Sequence, residues 1–312
     1  MKILPDGILS QSTAKLILCA GLLLLSLTAN AIEKPKPGAA IEGHLSFTGS
    51  GALSNLMTYW TQAFAKRYPL ITITIADPGG IAGMASLINA STDLALVSAP
   101  LSTEQKEAFT TRFGYAPHII PVAMDAVAIY VNDANPLTSI SLHDLDAIFS
   151  STYRCGEAQP LQTWGALGVK GALAQLRISV YGLTIDTDAN HLFRESVLCG
   201  GDYLKEFQAL VGPDSVESAL ISDSASIAFS DNNMHTPGAH KLSLVLPKHA
   251  SPVAASPTTI RSGLYPLRQT LAIAINQPTS QPLSTPLKTF IDFVFSPEGQ
   301  NIVTKTGFVA LH

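Results

Sequence analysis

From Leu45 onward, apolar residues recur first with period two and then with helical spacing, over and over, and this alternation restricts the folds open to the chain more than any other feature. Residues 45–48 read as a strand. Leu53, Leu56, Met57, Trp60, Ala63 and Phe64 then fall on one helical face until Pro69 ends the run. A second strand at 71–75, a short helix at 81–90 and a third strand at 93–97 follow. Ser102 with Gln105 three residues on predicts a capped helix reaching Phe113. Such a succession predicts the α/β class. The pattern breaks once: strands at 119–123 and 126–131 flank Met124-Asp125 with no room for a helix between them. We read this as a crossing into a second lobe.

That lobe carries helices at 141–149 and 189–198 and strands at 177–181 and 241–246. The Pro-, Ser- and Ala-rich stretch 247–257 reads as the return crossing. A strand at 270–276 and helices at 286–295 and 297–304 follow, the last with Ser296-Pro297 in the preferred N-cap and first-turn order. The expected organisation is a first lobe of 41–124 with 251–312 and a second of 125–250, with ligand access at the cleft between them. No repeat of the length that builds solenoids or propellers is present.

The first 40 residues have another character. Lys2 and Lys15 precede an apolar run at 16–27, and Ala29-Asn30-Ala31 closes it, which predicts a cleaved signal peptide over 1–31 and a leader over 32–40. The run is shorter than the ~20 residues a spanning helix needs, so a membrane anchor is the weaker reading. Leu18 before Cys19 speaks against lipidation there. The mature chain is expected to be periplasmic or secreted.

Removing 1–31 takes away Lys2, Lys15 and Asp6, which shifts the formal charge from −4 to −5. Only 13% of the chain is charged, and nothing in it forms the basic field a nucleic acid requires. Cys155 and Cys199 remain as an even pair in an oxidising compartment. They are either a disulfide or two buried thiols, and neither state makes them catalytic.

Three predicted strand ends open directly onto helices. Thr48-Gly49-Ser50-Gly51-Ala52 joins the first pair, Pro78-Gly79-Gly80 with Gly83 the second, and Ser98 ends the third strand. Glycine lets a backbone approach a ligand, and a helix N-terminus presents unpaired N–H groups to an anion. The G-x-S-x-G elbow, H-E-x-x-H, the phosphate loop of nucleotidases and C-x-x-C are all missing. His235 and His240 lack helical metal spacing and a third ligand, so they read as loop histidines. No cofactor, metal site or catalytic residue is expected.

In order, T-G-S-G-A from Thr48, G-I-A-G-M-A-S-L-I-N-A-S-T-D from Gly80, S-A-P-L-S from Ser98 and D-A-V-A-I-Y-V-N-D-A-N-P from Asp125 resemble the phosphate-binding proteins of ABC importers. T-W-G-A-L-G from Thr163, S-G-L-Y-P-L-R from Ser262 and the terminal F-S-P-E-G-Q-N-I-V with G-F-V-A-L extend the match across the mature chain. The resemblance implies a two-lobed type II periplasmic-binding-protein fold with two crossings. It also implies an oxyanion in a hinge-closing cleft, membrane subunits of an importer as partners, a monomer and no catalysis. Its contacts map onto Ser50, Gly51, Ala52, Leu53, Gly80, Ser98, Thr187, Asp188 and Ala189. The sequence departs from the family there. Ala52 or Leu53 stands where a Thr is usual, Gly80 where a Ser is usual, and Ser98 where many members carry Asp. Where other members have Ser-Arg instead, Ala99 replaces the Arg. Leu183 falls where the family has an Arg. Phosphate is the default ligand. The alternatives are a relative with a degenerate phosphate site that binds another ligand or a partner protein, and, more remotely, a secreted hydrolase using Ser50.

Overall fold

The computed structural model describes residues 41–49, 51–76, 80–98, 101–156, 159–234 and 236–311, and the predicted signal peptide and leader lie outside them. The chain begins with β1 (Gly43–Gly49), α1 (Gly51–Arg67), β2 (Ile71–Ala76), α2 (Gly80–Ile88), β3 (Leu94–Val97) and α3 (Thr103–Phe113). Local signals act here as expected. Ser102 Oγ accepts from the Gln105 N–H at 3.2 Å, and the Gln105 side chain accepts from the Ser102 N–H at 3.0 Å, which satisfies two of the donors a helix start leaves open.

Next comes β4 (His118–Asn132), one unbroken strand of 15 residues where two strands flanking Met124-Asp125 were expected. Both residues keep ladder partners: Met124 exchanges backbone hydrogen bonds of 2.9 and 2.8 Å with Val309, and Asp125 sits opposite Gln269. With those partners the extended conformation continues through the crossing. The chain goes on through β5 (Ser139–Ser141), α4 (Leu142–Phe149), β6 (Ser179–Leu183), α5 (Asp188–Val197), β7 (Gln208–Leu210) and α6 (Gly212–Ser222). It finishes with β8 (Ser226–Asp231), β9 (Ala239–Val245), α7 (Pro257–Ser262), β10 (Arg268–Ile275), α8 (Thr285–Phe295) and α9 (Pro297–Lys305).

The strands lie in the order β2-β1-β3-β10-β4-β8-β6-β7, with β9 also on β4 and β5 on β9. β1 is parallel to β2 and β3, and β6 is parallel to β7 and β8, while β4 and β10 run antiparallel between the two parallel sets. Each parallel set needs helical crossovers, which α1, α2, α5 and α6 supply. The two long antiparallel strands join them.

Two large cores divide along this line. Leu45, Phe47, Trp60, Phe64, Phe290 and Val303 belong to the first, which takes in Ala123 and Leu271. The second runs from Met124 through Phe149, Trp164, Phe193 and Phe229 to Leu267, and Val309 joins it. A smaller cluster of Met84, Leu87, Val97 and Phe109 covers the other face of β3. The return to the first core was expected over 247–257. Val253, Ile260, Tyr265 and Leu267 instead pack in the second core, and the Tyr265 hydroxyl donates to the Val127 carbonyl at 3.0 Å.

Trp60 fixes α1 to α9: its ring is fully buried and Nε1 donates to the Gly299 carbonyl at 2.8 Å. Trp60→Phe keeps most of the ring and leaves that carbonyl unpaired, so it should cost about 1–3 kcal/mol in urea unfolding. A change below the error of the measurement would mean that water replaces the indole N–H.

Candidate functional site

The parallel pairing brings the first three strand ends side by side. Thr48 at the end of β1 faces Ala76 at the end of β2, and Gly49 faces Leu96 of β3. Gly49 has φ of 141°, and a Cβ there would lie 2.4 Å from the Leu96 carbonyl oxygen. A Cβ on Gly83 would lie 2.8 Å from the Thr48 carbonyl oxygen. These two glycines let α2 and β3 close directly on the end of β1, so α1 and α2 start next to one another with their N–H groups at the strand ends.

Gly51, Ala52 and Leu53 form the first turn of α1, and Gly80 opens α2. Ser50 lies outside the described residues. The Leu53 side chain is fully buried in the first core, so this position has only its backbone to offer a ligand. Ser98 directly follows β3 and is 3% exposed.

On the other side of the cleft, Thr187 caps α5. Its hydroxyl accepts from the Asn190 N–H at 3.2 Å and donates to the Thr184 carbonyl at 2.8 Å. Asp188 is the first helical residue and Ala189 is buried behind it. Leu183 ends β6 with its side chain 3% exposed in the second core, so it points away from a ligand. Its carbonyl accepts from Asn190 Nδ2 at 2.7 Å, and the Asn190 Oδ1 accepts from the Tyr203 hydroxyl at 3.2 Å. Buried Asn190 thereby ties α5 to the end of β6, a role that nothing in the local sequence announces.

The groups that sequence reasoning missed lie where the lobes join. Asp125, in the middle of β4, is 7% exposed; its carboxylate accepts from the Ala126 N–H at 2.7 Å and from Gln269 Nε2 on β10 at 3.3 Å. Burial, and secondarily the charge of Asp231, push its carboxyl up to about 7, with Asp188 adding to the shift. Asp231, at the end of β8, is also raised, by burial first and by Asp188 second. Asp125 of β4 and Asp231 of β8 thus share an acidic surrounding to which Asp188, at the start of α5, adds its charge. Among the described residues no group of three or more His, Cys, Asp or Glu side chains is placed to hold a metal ion. His240 contacts Asp133 Oδ1 at 3.2 Å and the Leu137 carbonyl at 2.8 Å, while His235 lies outside the described residues.

A cavity of about 880 Å³ opens beside Gln269, between β3 and β10 on one wall and α5 on the other. Val97, Leu192, His191 and Arg268 are among the residues lining it. Helix N-termini at two adjacent strand ends, with Ser98 at the end of a third strand and the start of α5 opposite, can hold a small anion. Nothing described here supplies a nucleophile with a base beside it.

A family model described as a PBP superfamily domain matches residues 34–298. The phosphate-binding protein PstS of Pseudomonas aeruginosa is 30% identical over 281 residues, covering 90% of this chain and 87% of that protein. Among solved structures, an ABC-type phosphate transport receptor from Vibrio cholerae superposes with a TM-score of 0.68 at 17% identity, covering 85% of this chain and 99% of that one. PstS from Borrelia burgdorferi gives 0.64 at 20% identity, covering 86% and 99%. At these identities the likeness to the solved structures carries the two-lobed α/β fold.

Proposed function

Since the chain belongs to the phosphate-binding protein family of ABC importers, we propose that it is an exported monomeric receptor that holds inorganic phosphate between its lobes for the membrane subunits of such an importer. The observation that carries this reading is that the β1, β2 and β3 ends lie side by side, the first two leading into the starts of α1 and α2, opposite the start of α5. Gly51, Ala52, Leu53, Gly80 and Ala189 would contribute backbone N–H groups. Ser50, Ser98, Thr187 and Asp188 complete the set of contacts. Support for two lobes comes from the cores, where Ala123 and Leu271 pack in the first and Met124 and Leu267 in the second, so the division falls near 123–124 and 267–268 in this reading. Closure about these two strands would enclose the ion. Residues 1–31 direct export, and N-terminal sequencing of the secreted protein should begin at Ile32.

Isothermal calorimetry on refolded, ligand-free protein tests the reading. Saturable heat with inorganic phosphate well below millimolar concentration is expected. No heat at millimolar phosphate removes phosphate as the ligand. Because Leu183 offers no guanidinium, the affinity rests on helix starts worth about 0.3–1 kcal/mol each plus the hydroxyls, so raising salt should weaken it measurably.

A further inference from the structure

The cavity beside Gln269 separates two walls that are anchored in different cores. On one side, α3 packs on β3 through Phe109 and Val97 in the small cluster, and Leu101, Lys106 and Ile119 line the cavity there. Arg268 joins this wall as the first residue of β10, half-buried where that strand passes from one core to the other. The opposite wall is α5, held in the second core by Phe193 and Val197, with Leu192 and Glu195 lining the cavity. The two walls match in character. Leu192 stands across from Leu101 and from Ile119, which is 37% exposed, and the acid Glu195 stands across from the bases Lys106 and Arg268. Among the described residues the side chains of Lys106, Glu195 and Arg268 form no hydrogen bond or ion pair. Glu195 is also remote from the anion-holding end of its helix: it lies seven residues beyond Asp188, about 10 Å along α5. Opposite charges on facing walls attract more strongly once those walls meet and exclude water.

We propose that these walls form the closure contact of the receptor, with Glu195 of α5 pairing with the cations opposite it, Lys106 and Arg268, when the lobes close on an anion. Glu195 is then a positioning residue that sets part of the affinity without touching the ligand. The inference rests on the closing-receptor reading above and adds to it the contact that holds the closed state.

Calorimetry with inorganic phosphate on the ligand-free protein, joined to small-angle scattering, tests it. Apparent affinity follows the population of the closed state, so anything that weakens the contact weakens binding. Glu195→Gln should weaken phosphate by about two- to fivefold, the range of exposed ion pairs. Glu195→Lys adds repulsion, so it should weaken phosphate further and leave the phosphate-loaded particle less compact than the parent's. Lys106→Glu or Arg268→Glu in the Glu195→Lys chain should restore affinity and compaction, a rescue that a merely structural role for Glu195 would not give. Glu195 and Lys106 are both exposed, so their variants should keep the parent's thermal midpoint, and Lys106→Glu carries the rescue if Arg268→Glu fails to fold. If Glu195→Lys leaves phosphate affinity unchanged, or if no reversed cation restores it, the inference falls and the phosphate reading stands. If the parent binds no phosphate, both fall together.

Discussion

Replacing Cys155 and Cys199 together by serine should lower the free energy of unfolding by about 4 kcal/mol, the value the chain-entropy model gives for the loop this bond closes. The two cysteines are joined, with a sequence separation of 44 and Cα atoms 5.3 Å apart. This settles the choice between a disulfide and two buried thiols. The bond ties the turn after α4 to the C-terminal end of α5. Non-covalent contacts hold the same two segments in the folded state: the Ser151 N–H donates to the Asp202 carbonyl at 2.9 Å, the Asp202 N–H donates to Thr152 Oγ1 at 3.1 Å, and Arg154 Nη1 donates to the Gly200 carbonyl at 3.2 Å. The folded variant should therefore keep its native arrangement, and the loss should come from the freed unfolded chain. Urea unfolding should show a lower midpoint with a slope that rises slightly, since the unlinked chain exposes more surface. A midpoint unmoved by the double substitution would show that the unfolded chain keeps these segments together without the bond. Replacing both residues avoids the stray thiol that a single substitution leaves in an oxidising compartment.

The second large effect is a pH dependence centred on Asp125. An aspartate that ionises near 3.8 in an unfolded chain holds its proton up to about 7 here, because burial, and then Asp231, disfavour its charge. Between these two values the native state binds one more proton than the unfolded state. Stability then falls as pH rises through the window, and this contribution levels off above it. At 1.36 kcal/mol per unit, the interval amounts to about 4 kcal/mol. The raised carboxyl of Asp231 acts in the same direction. Asp125→Asn removes the charge and keeps the shape, and Gln269 can turn its amide to accept from the new amide group. The variant should therefore match the parent near pH 4 and exceed its stability at pH 8, most of the gain appearing between pH 5 and 7. Unfolding curves taken across that range check the sign. A variant less stable than the parent at pH 8 would mean that the ionised carboxylate is held by donors stronger than Ala126 N–H and Gln269.

Local code accounts for much of the architecture. Ser102, Ser141 and Ser296 cap the helices that the sequence places after them, and β1, β2 and β3 appear where apolar residues alternate or run together. β8 escaped notice for a physical reason. It lies in the interior of the sheet with both faces covered, so it shows no alternation, and its fully buried Ser226 and Ser230 read as turn residues. α6 went unread beside it, opening with Gly212-Pro213, a pair that elsewhere marks a turn. The site was legible on one side only. Glycines at strand ends announced the first two helix starts and Ser102 with Gln105 the third, whereas Asp125 and Gln269, 144 residues apart, meet solely through the register of β4 with β10. An acid alone in an apolar strand was the one available hint.

By itself the sequence determined the α/β class, the presence of two lobes, most helix starts and the family, because these rest on short-range periodicity, caps and motifs that survive in linear order. Tertiary structure decided that the crossing is one continuous strand, that Leu183 is a core residue and that Asp125 meets Gln269. Each of these depends on which backbone lies opposite which and on what that pairing buries, and neither is encoded within a window of neighbouring residues.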